Sequence, residues 1–115
     1  MHKILLMGAG KIGRAITALL VQTGDYDVLV SDASDEALQR IPTGPHCSVL
    51  KLDATNAQAL AEAMQGRDAV LSALSFSFNP LIAQVASETS TSYFDLTEDV
   101  ETTRKVRAFA DKCAN

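Results

Sequence analysis

The chain has 115 residues, of which 47% are apolar and 21% charged, with a formal net charge of −4 at pH 7. That length holds one compact domain with its own core, and the composition is that of an ordinary globular fold. Lys and Arg form no run or stripe, which argues against nucleic acid as a partner, and no apolar run approaches the roughly 20 residues of a membrane span.

In chain order, His2 to Met7 reads as a buried strand. It follows Met1 directly, with no small-residue cleavage site, so a cytoplasmic location is expected. Lys11 to Thr23 reads as a helix with Ile12, Ala15, Ile16, Leu19 and Leu20 on one face, ended by Gly24. Tyr26 to Ser31 is the second strand, Asp35 to Arg40 a short helix, and Pro42-Thr43-Gly44-Pro45 a turn. Cys47 to Leu52 is the third strand. Asn56 is placed to cap a helix that runs through Gln65 and stops at Gly66, before a fourth strand from Ala69 to Leu74. Pro80 suits the first turn of a helix reaching Thr89, and Ser92 to Leu96 is the fifth strand. Val100 to Cys113 reads as a last helix, with Val106, Phe109 and Ala110 on its inner face.

Strand-length runs alternating with helical stretches predict an α/β fold. Short connections and right-handed crossovers favour a Rossmann-like, doubly wound parallel sheet of five strands in order 3-2-1-4-5, with helices on both faces. No repeat or linker divides the chain, so residues 1–115 are expected to form one domain. Cys47 and Cys113 belong to no CxxC pair or His/Cys cluster; they read as ordinary thiols, and no metal site is expected.

Gly8-Ala9-Gly10-Lys11-Ile12-Gly13 is a GxGxxG match. The bare pattern arises by chance, and here it could merely join strand to helix. It gains weight from its place at the end of the first strand, and from Asp32, 19 positions beyond Gly13 at the end of the second. Gly8 permits the tight turn, Gly10 lets the backbone approach a pyrophosphate, and Gly13 lets the helix pack closely. The helix N–H groups near Lys11 and Ile12 would face the anion. Asp32 would accept hydrogen bonds from the adenosine ribose and repel a 2′-phosphate, which points to NAD as cofactor, with NADP the alternative. Ala33 stands where an arginine often marks phosphate binding, while Ser34 could donate to a phosphate. The competing role for Asp32 is to begin the Asp-Ala-Ser-Asp turn.

Arg14 either reaches an anion at the helix mouth or is simply solvated. Asp53 and Ala54 end the third strand at the same sheet edge, where the carboxylate would receive the adenine amino group or else shape the helix entry. Ala73, Leu74 and Ser75 leave room for the central and nicotinamide portions of a dinucleotide, and Ser77 is a further candidate contact. Phe76 and Phe78 suit packing better than stacking on a base. Tyr93 and Asp95 could face the nicotinamide or substrate, although Tyr93 also suits the core. No catalytic residue is assignable.

Four runs, Gly8 to Ala15, Leu52-Asp53-Ala54-Thr55, Asp68 to Leu74 and Ser92-Tyr93-Phe94-Asp95-Leu96-Thr97, resemble the N-terminal NAD(P)-binding domain of the saccharopine dehydrogenase-like oxidoreductases. The resemblance covers nearly the whole chain, and its Tyr-x-Asp-Leu-Thr run is the most specific part. It implies hydride transfer at the carbon of a C–N bond in a small amino-acid-like substrate, held between this domain and a second one. The family's substrate domain would follow, so the chain is expected to be an N-terminal fragment, competent in binding and inactive in turnover alone. Apolar surface left exposed would let copies pair as a homodimer. The alternative is a single-domain NAD-binding regulatory module of the kind that gates potassium transport, which resembles this chain up to Asp53. The Ser75 to Pro80 loop and the Tyr93 to Thr97 run favour the dehydrogenase. A short-chain reductase acting alone is disfavoured because no Tyr-x-x-x-Lys pair occurs.

Overall fold

A computed structural model describes residues 1–74 and 76–95. In chain order these form β1 (His2–Met7), α1 (Lys11–Thr23), β2 (Tyr26–Asp32), α2 (Asp35–Gln39), β3 (Cys47–Lys51), α3 (Ala57–Met64), β4 (Ala69–Ser72), a single 3₁₀ turn (Phe76–Phe78), α4 (Asn79–Glu88) and β5 (Ser92–Asp95). The five strands make one parallel sheet in the order β3-β2-β1-β4-β5. This is the expected α/β, Rossmann-like arrangement. Ser75, Leu96, Thr97 and the helix expected over residues 100 to 113 lie outside the described residues.

The sheet is doubly wound because the chain leaves β1 toward β2 and β3, then returns to build β4 and β5 on the other side. The switch therefore falls between the carboxyl ends of β1 and β4, where Met7 and Ser72 are register partners. Leu5, Leu6 and Met7 are each at most 1% exposed, which identifies β1 as a strand covered on both faces. Leu5 and Met7 join Leu60, Val70, Ile82 and Tyr93 in a core beneath α3 and α4. Leu6 joins Val28, Val30, Leu38 and Cys47 beneath α1 and α2. β3 is an edge strand, with Ser48 to Lys51 exposed.

Two features depart from the sequence pattern. The apolar residues of α1 share one face, yet that face is not the buried one: Ile12 and Leu19 are 62% and 63% exposed and Ala15 is exposed as well. The buried residues are Gly13 and Thr17, with Ile16 and Leu20 half-buried beside them. Contact at Gly13 sets this rotation: the helix lies so close to the turn before it that a methyl group there would overlap the Gly8 carbonyl. Thr17 Oγ1 donates to the Gly13 carbonyl at 2.8 Å and fills the space a larger side chain would need. Second, β4 ends at Ser72 rather than Leu74. Ala73 N–H still donates to the Met7 carbonyl at 2.8 Å, but β1 offers no partner further on and the chain turns away.

The helix punctuation follows the sequence. Gly24 takes φ 79° and returns its N–H to the Val21 carbonyl, Gly66 takes φ 77°, and Asn56 Oδ1 accepts the Ala59 N–H at 3.0 Å. Cys47 is a buried thiol. Desolvation, with the nearby Asp27 charge, pushes its pKa up and keeps it protonated.

Candidate functional site

Parallel strands bring their carboxyl ends to one edge of the sheet, so residues scattered along the sequence meet there. Gly8 follows β1 with φ 110°, a region that side chains other than glycine rarely enter, and its N–H donates to the Ser31 carbonyl at 2.7 Å. A side chain at Gly8 would lie 3.2 Å from the Ala73 carbonyl oxygen and from a Leu74 methyl group. The glycine turn is thus packed against the exit of β4, and Ala73 and Leu74 are half-buried against it.

The three glycines of the motif have different reasons to be glycine. Gly8 and Gly13 answer to the protein's own packing. At Gly10, chain neighbours aside, no atom of the described residues lies within 4 Å of the point a β-carbon would occupy, so its lack of a side chain leaves open surface for something from outside. Gly10 is also the N-cap of α1. No side chain caps that helix and no acidic residue occupies its first turn. A helix start in this state presents backbone N–H donors and a positive dipole end to the same open surface. Lys11, Ile12 and Arg14 are exposed around it.

Asp32 closes the other side of the turn. Its Oδ2 accepts the Ala9 N–H at 2.7 Å and its Oδ1 accepts the Ser34 N–H at 2.9 Å. The carboxylate therefore begins the turn after β2, the competing role read from sequence, and it also pins the glycine turn. Each oxygen keeps a lone pair for a further donor. Ala33 is exposed. Ser34 Oγ accepts the Ala37 N–H at 3.2 Å and so caps α2, a role that sequence reasoning missed although a serine before Asp-Glu is a helix-start signal.

Asp53 is drawn into the entry of α3. Its Oδ1 accepts the Thr55 hydroxyl at 2.6 Å and the Thr55 N–H at 2.9 Å, and these two bonds hold the carboxyl below its ordinary range. Ala54 is buried beneath it. Ser77 is exposed, and Phe78 packs against the core under α3 and α4, which supports the packing role.

Sequence reasoning also missed a buried polar cluster below the switch point. Ser72 Oγ donates to Asn79 Oδ1 at 2.7 Å, both residues being buried, and accepts the Leu74 N–H at 3.4 Å. Asn79 Nδ2 is buried without a hydrogen-bond partner among the described residues, and Tyr93 Oη lies buried beside Ser72 and Asp95. Asn79 carried only the signal of a polar residue before Pro80, which ordinarily means an exposed cap. Tyr93 belongs to the core. Burial, and then the neighbouring Asp95 charge, holds its phenol above the usual tyrosine range.

A pH dependence follows. The folded chain keeps the Tyr93 proton where the unfolded chain loses it, so stability is full below the unfolded value of about 10 and falls as pH rises past it. The buried Cys47 thiol acts with the same sign from a lower onset. Urea midpoints are expected to decline between about pH 8 and about pH 11, and Tyr93→Phe should remove the part above about pH 10. A midpoint that holds level across that interval would contradict the burial of both groups.

Among the described residues no three His, Cys, Asp or Glu side chains converge as metal ligands, and no helix is long and apolar enough to cross a membrane.

The sequence model of the family described as saccharopine dehydrogenase NADP binding domain matches residues 4–115. Among solved structures, saccharopine dehydrogenase (L-Glu forming) from Saccharomyces cerevisiae superposes with a TM-score of 0.81 at 22% identity, covering 92% of this chain and 24% of that one. Uronate dehydrogenase from Agrobacterium tumefaciens, complexed with NAD, gives 0.67 at 18% identity over 84% of this chain and 41% of that one. A short-chain dehydrogenase/reductase from Veillonella parvula, in complex with NADP, gives 0.67 at 16% identity over 94% and 63%. At these identities the likeness is one of fold, and the chain spans only part of each of these proteins.

Proposed function

The chain belongs to the saccharopine dehydrogenase NADP-binding domain family, and from that premise we propose that it is the cofactor domain of a longer oxidoreductase acting on a C–N bond of an amino-acid-like substrate. The observation that carries the cofactor half of this reading is the open surface at Gly10, set over an uncapped helix start and beside the Asp32 carboxylate.

On this reading Gly8 and Gly13 shape the turn, and the backbone at Gly10, Lys11 and Ile12 receives the pyrophosphate. The remaining lone pairs of Asp32 accept the adenosine ribose hydroxyls, with Ala33 and Ser34 beside them, so NAD is favoured over NADP. Asp53 and Ala54 border the adenine. Ala73 and Leu74 line the path to the nicotinamide, and Ser75 is the next residue in sequence. The dinucleotide supplies or accepts the hydride. A cofactor domain by itself does not enclose a substrate away from water, so turnover requires a second domain. The C–N assignment draws on the yeast saccharopine dehydrogenase, whose fold this chain shares at a TM-score of 0.81.

The test is an assay of the longer enzyme for oxidation of reduced nicotinamide in the presence of an amino acid paired with a carbonyl compound. Turnover is expected with such pairs and not with alcohol–ketone pairs. Turnover confined to alcohols and ketones would overturn the C–N assignment.

A further inference from the structure

Beside Asp32 stands an ion pair that the glycine motif does not account for. Lys51, the last residue of β3, is the register partner of Asp32 across the parallel ladder. Its ammonium lies 3.1 Å from the carboxylate of Asp35, the first residue of α2. Asp32 and Asp35 belong to the same turn, which the Ser34 N–H closes onto Asp32. The pair stands at the rim of an open groove between α2 and β3, its side chains 63% and 66% exposed. Arg40, the C-cap of α2, is engaged by Glu36 at 3.2 Å.

We propose that Asp35 is a specificity-determining residue, which disfavours a 2′-phosphorylated dinucleotide by holding Lys51. The inference rests on the cofactor reading above, which places the adenosine ribose at Asp32. A 2′-phosphate there would enter a corner where Asp32, Asp35 and Lys51 leave one carboxylate in excess. The ammonium that would otherwise attract it is already engaged. Because the pair is exposed, the bond between its partners is weak, and what matters is where it keeps the charges. Removing the Asp35 charge acts twice, since it withdraws a repelling carboxylate and frees a long, flexible ammonium to reach the phosphate.

The experiment is calorimetric titration of NADH and NADPH into the full chain, comparing wild type, Asp35→Asn, and Asp35→Asn combined with Lys51→Met. Asp35→Asn is expected to tighten NADPH about tenfold, the size of one hydrogen bond to a charged group, and to leave NADH within about twofold. In the double variant the gain should vanish. Unchanged NADPH affinity in Asp35→Asn, with NADH still bound, overturns this proposal and leaves the cofactor reading standing. So does a gain that persists without Lys51. Wild type that binds neither nucleotide overturns the cofactor reading, and this proposal with it.

Discussion

Gly13→Ala is expected to cost about 3 kcal/mol of folding stability and to abolish dinucleotide binding, a loss at the upper end of what overpacking produces. The added methyl would overlap the Gly8 carbonyl, whose carbon lies 2.8 Å from its position. The obstacle is backbone, and backbone that cannot easily retreat. Gly8 is held by its own bond to Ser31, by the Ala73 and Leu74 contacts behind it, and by the tie from Asp32 to Ala9. Relief therefore requires α1 to lift from the sheet, which would expose Thr17 and loosen Ile16 and Leu20. Gly10→Ala is the matched control, because the space there is open. That variant should keep the wild-type urea midpoint while its nucleotide affinity falls by at least about tenfold, as expected when a side chain stands where a pyrophosphate must approach. Equal loss of stability in the two variants would contradict the division of labour among the glycines.

The second large effect is expected at Asp32. Replacing it with alanine leaves the Ala9 and Ser34 N–H groups without their acceptor, at a cost of about 2 kcal/mol that falls mainly on Ala9, since the Ser34 bond is exposed to water. The same change removes the acceptor proposed for the ribose. NADH affinity should therefore fall by more than about tenfold, through loss of the ribose contact and of the pinned turn together. NADPH affinity should fall less, because a negative charge that repels its phosphate is removed at the same time. Asp32→Asn keeps one carbonyl acceptor and should recover part of the stability without restoring discrimination. Chemical denaturation and paired titrations read the two effects separately, and an NADPH loss as large as the NADH loss would contradict the assigned role of the charge.

Much of this architecture was legible in the sequence because local signals and global fold agree. The alternation of strand and helix periods, the stops at Gly24 and Gly66 and the cap at Asn56 each act over a few residues, and together they imply the strand order that is observed. What sequence reasoning missed is set by contacts between distant segments. The inner face of α1 does not follow the apolar period carried by Ile12, Ala15 and Leu19, because the approach of Gly13 to Gly8 decides which side meets the sheet. The Asp32 bond to Ala9 joins residues 23 positions apart and depends on the left-handed backbone at Gly8. Asn79, a polar residue next to Pro80, is 0% exposed, because Ser72 at the end of β4 gives it a partner. The dinucleotide candidates were legible as residue types on the right loops. The further work of Asp32, Ser34 and Asp53 within those loops became visible only in three dimensions.

The glycine turn of this chain is proposed above as a dinucleotide site. Titration of NADH into isotope-labelled wild-type chain, followed by backbone amide NMR, tests it most directly. Saturable shifts are expected, centred on Gly8, Gly10, Ile12, Gly13, Asp32 and Ala73, all at one edge of the sheet. Saturation with no shift at these residues, or with shifts centred on α3 and the β3 edge instead, would contradict it.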